Sequence, residues 1–268
     1  MRLGMIAKAE ETSFRMAQKY GLDFVEFCVN EGDDVEEFCR QASRYGEWSR
    51  EYGISIGSIG RWKSLRLHED GSIIQEELER CRHLIDAASM LGCPNMVVGC
   101  NYVEKLSLYA NCTSAIAFFE KLLDYAANRN VSLSSYNCRK VNYVNNPTMW
   151  SIIHEHLPEL GIKYDPSHAR FFEGDYLQET LNWGHRFKHV HLKGSLVVGG
   201  RKIDEPPAGL DQTDWRSFLG LLRACGYEGG LSIEPRKSAL PDELAARGIE
   251  YSAAYFRRLL LQQEDHRS

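Results

Sequence analysis

The chain lacks a long apolar run at its start. Met1-Arg2-Leu3-Gly4-Met5-Ile6 passes directly into a strand-like stretch, with no small-residue cleavage site behind it. Neither a secretory leader nor a membrane span is expected. No CxxC spacing joins the eight cysteines, which lie mostly inside apolar runs. Reduced, buried thiols and a cytoplasmic setting are expected. No basic stripe stands out and the formal net charge is −5, which disfavours nucleic acid as the main partner. No Gly-rich phosphate fingerprint follows the first strand, where Ala7-Lys8-Ala9-Glu10 stands. A dinucleotide-binding open sheet thereby loses its best support. No linker composition divides the 268 residues, so one domain spanning 1–268 is expected.

What is present is alternation. Strand-like runs fall at Arg2–Ile6, Asp23–Cys28, Ile54–Ile59, Asn95–Cys100, Val131–Tyr136, from Ile162 onward, Phe187–Leu192 and Leu231–Glu234. Helical spacing falls at Glu11–Tyr20, Val35–Tyr52, Ile74–Leu91, Ser114–Asn128, Thr148–Leu157, Tyr176–Trp183, Trp215–Cys225 and Ile249–Leu261. Gly21, Gly53 and Gly92 stand where three of these helices should close. The polar tail Gln262–Ser268 is expected to fray. Strict alternation predicts a parallel sheet. The length is near the ~250 residues typical of a (β/α)₈ barrel, so the expected class is α/β, a closed (β/α)₈ barrel.

Three of the strands end in groups that carry chemistry. Gly161-Ile162-Lys163-Tyr164-Asp165-Pro166-Ser167-His168 places Asp165 at a strand end, because Pro166 cannot donate a ladder hydrogen bond. Phe187-Lys188-His189-Val190-His191-Leu192-Lys193 ends in His191 and Lys193, and Gly230-Leu231-Ser232-Ile233-Glu234-Pro235 ends in Glu234. In a barrel the strand C-termini share one mouth, which makes Asp165, His191 and Glu234 a single constellation.

Leu160 to His168, His189-Val190-His191-Leu192-Lys193, and Asp214-Trp215 followed by Gly226 to Glu234 resemble the xylose isomerase-like barrels. That superfamily holds sugar phosphate isomerases and epimerases and endonuclease IV. The resemblance implies metal ligands at Asp165, His191 and Glu234, and a substrate-binding imidazole at His168. It implies one divalent ion, Mn²⁺, Mg²⁺, Zn²⁺ or Co²⁺, and isomerisation or epimerisation of a sugar-like polyhydroxy carbonyl compound through an enediolate. Glu234 would be the base, with His168 or Lys193 returning a proton. A lyase of keto-inositol or dehydroshikimate type and a metal-free ligand-binding barrel are the alternatives. The endonuclease branch needs several more His and Glu residues for its zinc cluster. Many barrels of the superfamily are dimers or tetramers, so a homo-oligomer is compatible with the resemblance.

The chain also departs from the family's pattern. Strand five usually ends in a metal-binding Glu, and here Tyr136 stands in that place. A second Glu of the ketose 3-epimerases would fall near Asn142. A phenol with a pKa of ~10 stays protonated at neutral pH and binds a divalent ion poorly. Alternation puts Tyr136 with Ser134 and Ser132, so its hydroxyl is expected to point into the mouth, with Asn137 reaching the same space. His191 is expected inside the barrel and His189 toward the helices. Trp62 is read as a wall for a sugar, Glu26 and Arg236 as substrate contacts, and Arg139 and Lys140 as anchors for a substrate anion or as rim salt bridges. For Asp165 the plainer alternative is a helix N-cap, for Arg236 and Lys193 a rim salt bridge, and for Glu26 a carboxylate satisfied inside the barrel. His83 is read as a helix-surface residue.

Overall fold

A computed structural model describes residues 1–262 apart from 140, 173, 242, 243, 245 and 246. Eight parallel strands close into a barrel. They are β1 (Arg2–Ala7), β2 (Phe24–Asn30), β3 (Ser55–Trp62), β4 (Asn95–Val98), β5 (Ser132–Tyr136), β6 (Gly161–Tyr164), β7 (Phe187–Leu192) and β10 (Gly230–Ile233). Around the barrel the order is β1-β10-β7-β6-β5-β4-β3-β2, so β1 and β10 form the closing seam. A two-stranded antiparallel hairpin, β8 (Leu196–Val198) and β9 (Arg201–Asp204), interrupts the pattern after β7.

The helices follow the strands as the spacing predicts. They are α1 (Glu11–Lys19), α2 (Val35–Arg40), α3 (Ala42–Tyr52), α4 (Gln75–Met90), α5 (Leu108–Ala126), α6 (Pro147–His156), α7 (Pro166–Phe171), α8 (Tyr176–Trp183), α9 (Trp215–Ala224) and α10 (Gly248–Leu260). Side-chain caps start many of them: Asp34, Ser107, Asn146, Asp165, Asp175 and Asp214 each accept from a backbone N–H of the first turn. The single helix expected over Val35–Tyr52 is two, because Gln41 sits at ψ −2°. Helix α5 begins six residues before the expected Ser114, where Ser107 caps it. Among the described residues no helix is long and apolar enough to cross a membrane. All eight cysteines are free. The expected frayed tail lies largely outside the described residues.

Apolar side chains fill the space between barrel and helices. Tyr164 turns outward, stacking on Phe187 at 4.4 Å, and donates to Glu179 of α8 at 2.7 Å. At the N-terminal end of the barrel the Phe24 ring fills the axis. A Cβ on Gly4 or Gly57 would overlap that ring, so both strands need glycine there. Burying such a ring contributes roughly 1.5–3 kcal/mol.

Candidate active site

The mouth collects side chains from β2, β6, β7 and β10. Residues two apart on a strand share a face. Lys163 and Asp165 therefore turn inward together, as do His189, His191 and Lys193, and Ser232 and Glu234. Asp165 is buried twice over by its surroundings. Its Oδ1 caps α7 by accepting from the Ser167 N–H at 2.9 Å. Its Oδ2 faces the mouth, with no aligned hydrogen bond, although the Lys193 ammonium is 3.0 Å away and His168 Nε2 3.5 Å. The N-cap and the site residue are thus the same carboxylate, one oxygen each.

His191 links two strands to the third. Its Nδ1 lies 2.8 Å from Glu234 Oε2, and its Nε2 lies 2.9 and 3.0 Å from the two oxygens of Glu26. Glu26 Oε2 is also 2.7 Å from His189 Nε2. The expectation that His189 faces the helices is therefore wrong. Both imidazoles turn inward, as a strand period of two requires. Glu26 is fully buried between them, the satisfied interior carboxylate rather than an open substrate contact.

Other expected residues find different partners. Asn137 does not reach the mouth: its amide donates to the Asp165 carbonyl and accepts from the Asp165 N–H, each at 2.9 Å. It fixes the backbone that carries Asp165. The Tyr136 ring leans on Trp62 at 4.4 Å and against Gly99. Its hydroxyl is 3.5 Å from the Val141 carbonyl. Asn142 accepts from the Cys100 N–H at 3.0 Å and donates to the Tyr136 carbonyl, so it braces the loop after β5. Trp62 does border the site, with its ring 6.2 Å from that of His191. Arg236 pairs with Glu234 Oε1 at 2.5 Å, the rim salt bridge. Arg139 lies over the Phe172 ring at 3.8 Å. Lys140 is outside the described residues. His83 pairs with Glu36 on the surface.

Charge states follow from burial and partners. Burial pushes the Glu26 carboxyl up, but His191 and His189 outweigh it and hold it well below the usual carboxylate range. The same contest leaves Glu234 well below that range, through Lys193 and His191, and Asp165 low, through Lys193 above all. Burial lowers His168 to about 3, so its ring is neutral and Nε2 accepts from the Lys193 ammonium at 3.1 Å. Lys193 is held up by Asp165 and Glu234 against its burial. His191 is raised, because Glu26 overcomes the desolvation, while burial leaves His189 lowered.

One ligand atom from each of Asp165, His191 and Glu234 lies within 4.8 Å of the others. Two carboxylates and an imidazole, with the Asp165 oxygen unbonded, fit a divalent ion with open positions. Glu26, behind His191, would set the ring's tautomer and aim, as outer carboxylates do for metal-binding histidines. Glu26, His189 and His191 also meet the same distance criterion, but the Glu26 oxygens are already taken up by the two rings.

The sequence pattern of the xylose isomerase-like TIM barrels matches residues 14–258. The chain belongs to this family. No curated protein matches it in sequence. Among solved structures it is similar to 3-keto-D-glucoside 4-epimerase from E. coli in its apo form, at 17% identity and a TM-score of 0.74, covering 96% of this chain and 99% of that one. It is also similar to D-allulose 3-epimerase from Methylomonas sp., at 17% identity and a TM-score of 0.74, covering 98% and 97%. D-psicose 3-epimerase from Clostridium cellulolyticum gives 13% identity and a TM-score of 0.76, covering 97% and 99%. These structural neighbours are sugar epimerases.

Two inward residues escaped the sequence reasoning. Lys163 lies two before Asp165, and the alternation alone puts it on the same face. Glu205, 3.7 Å from Lys193, comes from the stretch just after β9 and carries no local signal.

Proposed function

We propose that the protein is a sugar isomerase or epimerase that moves a proton at a carbon beside a carbonyl. The observation that carries this is the convergence of Asp165, His191 and Glu234 at the barrel mouth. A divalent ion bound there supplies Lewis-acid polarisation of a carbonyl oxygen. The chain's own residues do the rest. Lys193 and His191 keep Glu234 ionised, so it can accept the proton from carbon. Glu234 is also pinned by Arg236, which fixes its direction. The Lys193–His168 pair, on the β6 and β7 side, can donate a hydrogen bond to a substrate oxygen and return a proton. Glu26 holds the His191 ring, and Trp62 offers an apolar face to the C–H surface of a sugar.

Keto sugars are the substrate class to try first, since the structural neighbours are named for them. The loss of the strand-five carboxylate leaves one carboxylate base at the mouth, which also suits β-elimination from the same enediolate, and an unsaturated product would mark that route. The unpaired thiols agree with a cytoplasmic enzyme. The test is incubation with a panel of ketohexoses and 3-keto sugars in the presence of Mn²⁺, followed by chromatography of the products. Appearance of an epimer or isomer supports the proposal. Absence of conversion across the panel by folded, ion-supplemented protein contradicts it.

A further inference from the structure

Among the described residues, Lys163 is a buried cation of the mouth that the chemistry above does not use. It is 1% exposed. The β5–β6 register sets it directly beside Tyr136, and its ammonium stands 5.5 Å from the centre of the Trp62 ring. Lys193 is matched to Asp165, and Arg236 to Glu234. Among the described residues no carboxylate lies within ion-pair distance of Lys163. Its charge still reaches Asp165, His168, His191 and Glu234. Desolvating an ammonium without a facing carboxylate is costly.

The charges around it balance. Glu26, Asp165 and Glu234 bring three negative charges, and Lys163, Lys193 and Arg236 three positive ones, while Glu205 is offset by Lys202 at 2.8 Å. These carboxylates and cations cancel without any ion. A divalent ion would add two positive charges close to Lys163. The neighbouring strand end that could offset them with a fourth carboxylate carries Tyr136 instead.

We propose that Lys163 is a built-in counter-cation that governs ion binding at the mouth. It supplies charge compensation that otherwise falls to the divalent ion, and so keeps that ion's hold on Asp165, His191 and Glu234 weak and exchangeable. This rests on reading the mouth as an ion site. The test is calorimetric titration of MnCl₂ into the full chain, comparing wild type with Lys163→Met and Lys163→Arg, each first checked for folding by its thermal transition. Lys163→Met should bind Mn²⁺ at least tenfold more tightly than wild type, and Lys163→Arg should stay close to wild type. Lys163→Gln gives the same comparison if the Met variant does not fold. Equal or weaker binding by the neutral variants overturns the proposal. Binding by none of the proteins overturns it too, but by a separate pattern, because then the mouth is not an ion site at all.

Discussion

At the floor of the barrel the strands carry glycine: Gly4 and Gly57 make room for the Phe24 ring, and Gly230 borders it. At the mouth the same strands carry charge. Two residues after Phe24 comes Glu26, and four residues after Gly230 comes Glu234. Within one or two strand repeats the barrel axis passes from an apolar plug to a cluster of carboxylates, imidazoles and ammoniums. The floor can be built from residues that only need to fit. The mouth is built from residues whose burial is costly and is offset by each other. Substitutions at the floor should therefore move stability and leave chemistry alone, whereas those at the mouth should move chemistry most and stability as well.

The largest effect should come from the mouth. Glu234→Gln keeps the shape and removes the acceptor. Turnover should fall by about 10²–10⁴-fold, with the protein still folded and its thermal midpoint somewhat lower because Arg236 loses its partner. A variant with full turnover removes Glu234 from the mechanism.

A structural imidazole outside the barrel gives a contrast with those in the mouth. His154 of α6 is buried between Ser135, at 2.8 Å, and the Leu160 carbonyl, at 3.0 Å. Burial lowers it to about 4 from the ordinary 6.5. The unfolded chain then binds a proton that the folded chain refuses. This contribution is complete above pH ~6.5 and is lost as pH falls toward ~4, by about 3 kcal/mol. Urea unfolding of wild type and His154→Gln across that range checks it, since the variant should lose stability less steeply with acid. Parallel pH profiles would contradict the reading.

At the floor, Gly57→Ala drives a Cβ into the Phe24 ring. Overpacking of this kind costs ~1–3 kcal/mol, read as a lower urea midpoint, while kcat of the folded enzyme should hold. A fall in kcat at unchanged stability would break the division between the two ends.

The smallest effect is expected at Tyr136. Its hydroxyl lies near the Val141 carbonyl. Tyr136→Phe should cost ~0.5–1.5 kcal/mol of stability and leave kcat/KM within about threefold. A large loss of kcat/KM at unchanged stability would return the hydroxyl to the reaction.

Much of this was legible in the chain. Eight strands and their order followed from hydrophobic alternation and from glycine at the helix ends, because local pattern and global fold agree there. The convergence of Asp165, His191 and Glu234 followed from the barrel rule alone. What was missed has physical reasons. The β8–β9 hairpin turns at Gly199-Gly200, both with positive φ, a turn signal hidden inside a long connection. The break at Gln41 leaves the apolar spacing intact, and nothing in the residues marks it. The partners of Glu26 come from β7, some 165 positions away, a distance no local reading spans. Asn137 and Tyr136 show the same limit: strand alternation gives a face, and which atom a side-chain end meets is decided by the neighbouring strands.

On the proposed function, the mouth takes a proton from the carbon next to a carbonyl. The direct measurement is NMR of keto sugars incubated with the wild-type protein and Mn²⁺ in D₂O. Deuterium should appear at one carbon beside the carbonyl, at a rate that collapses in Glu234→Gln. Epimer formed with no solvent deuterium, or exchange undiminished in that variant, would contradict it.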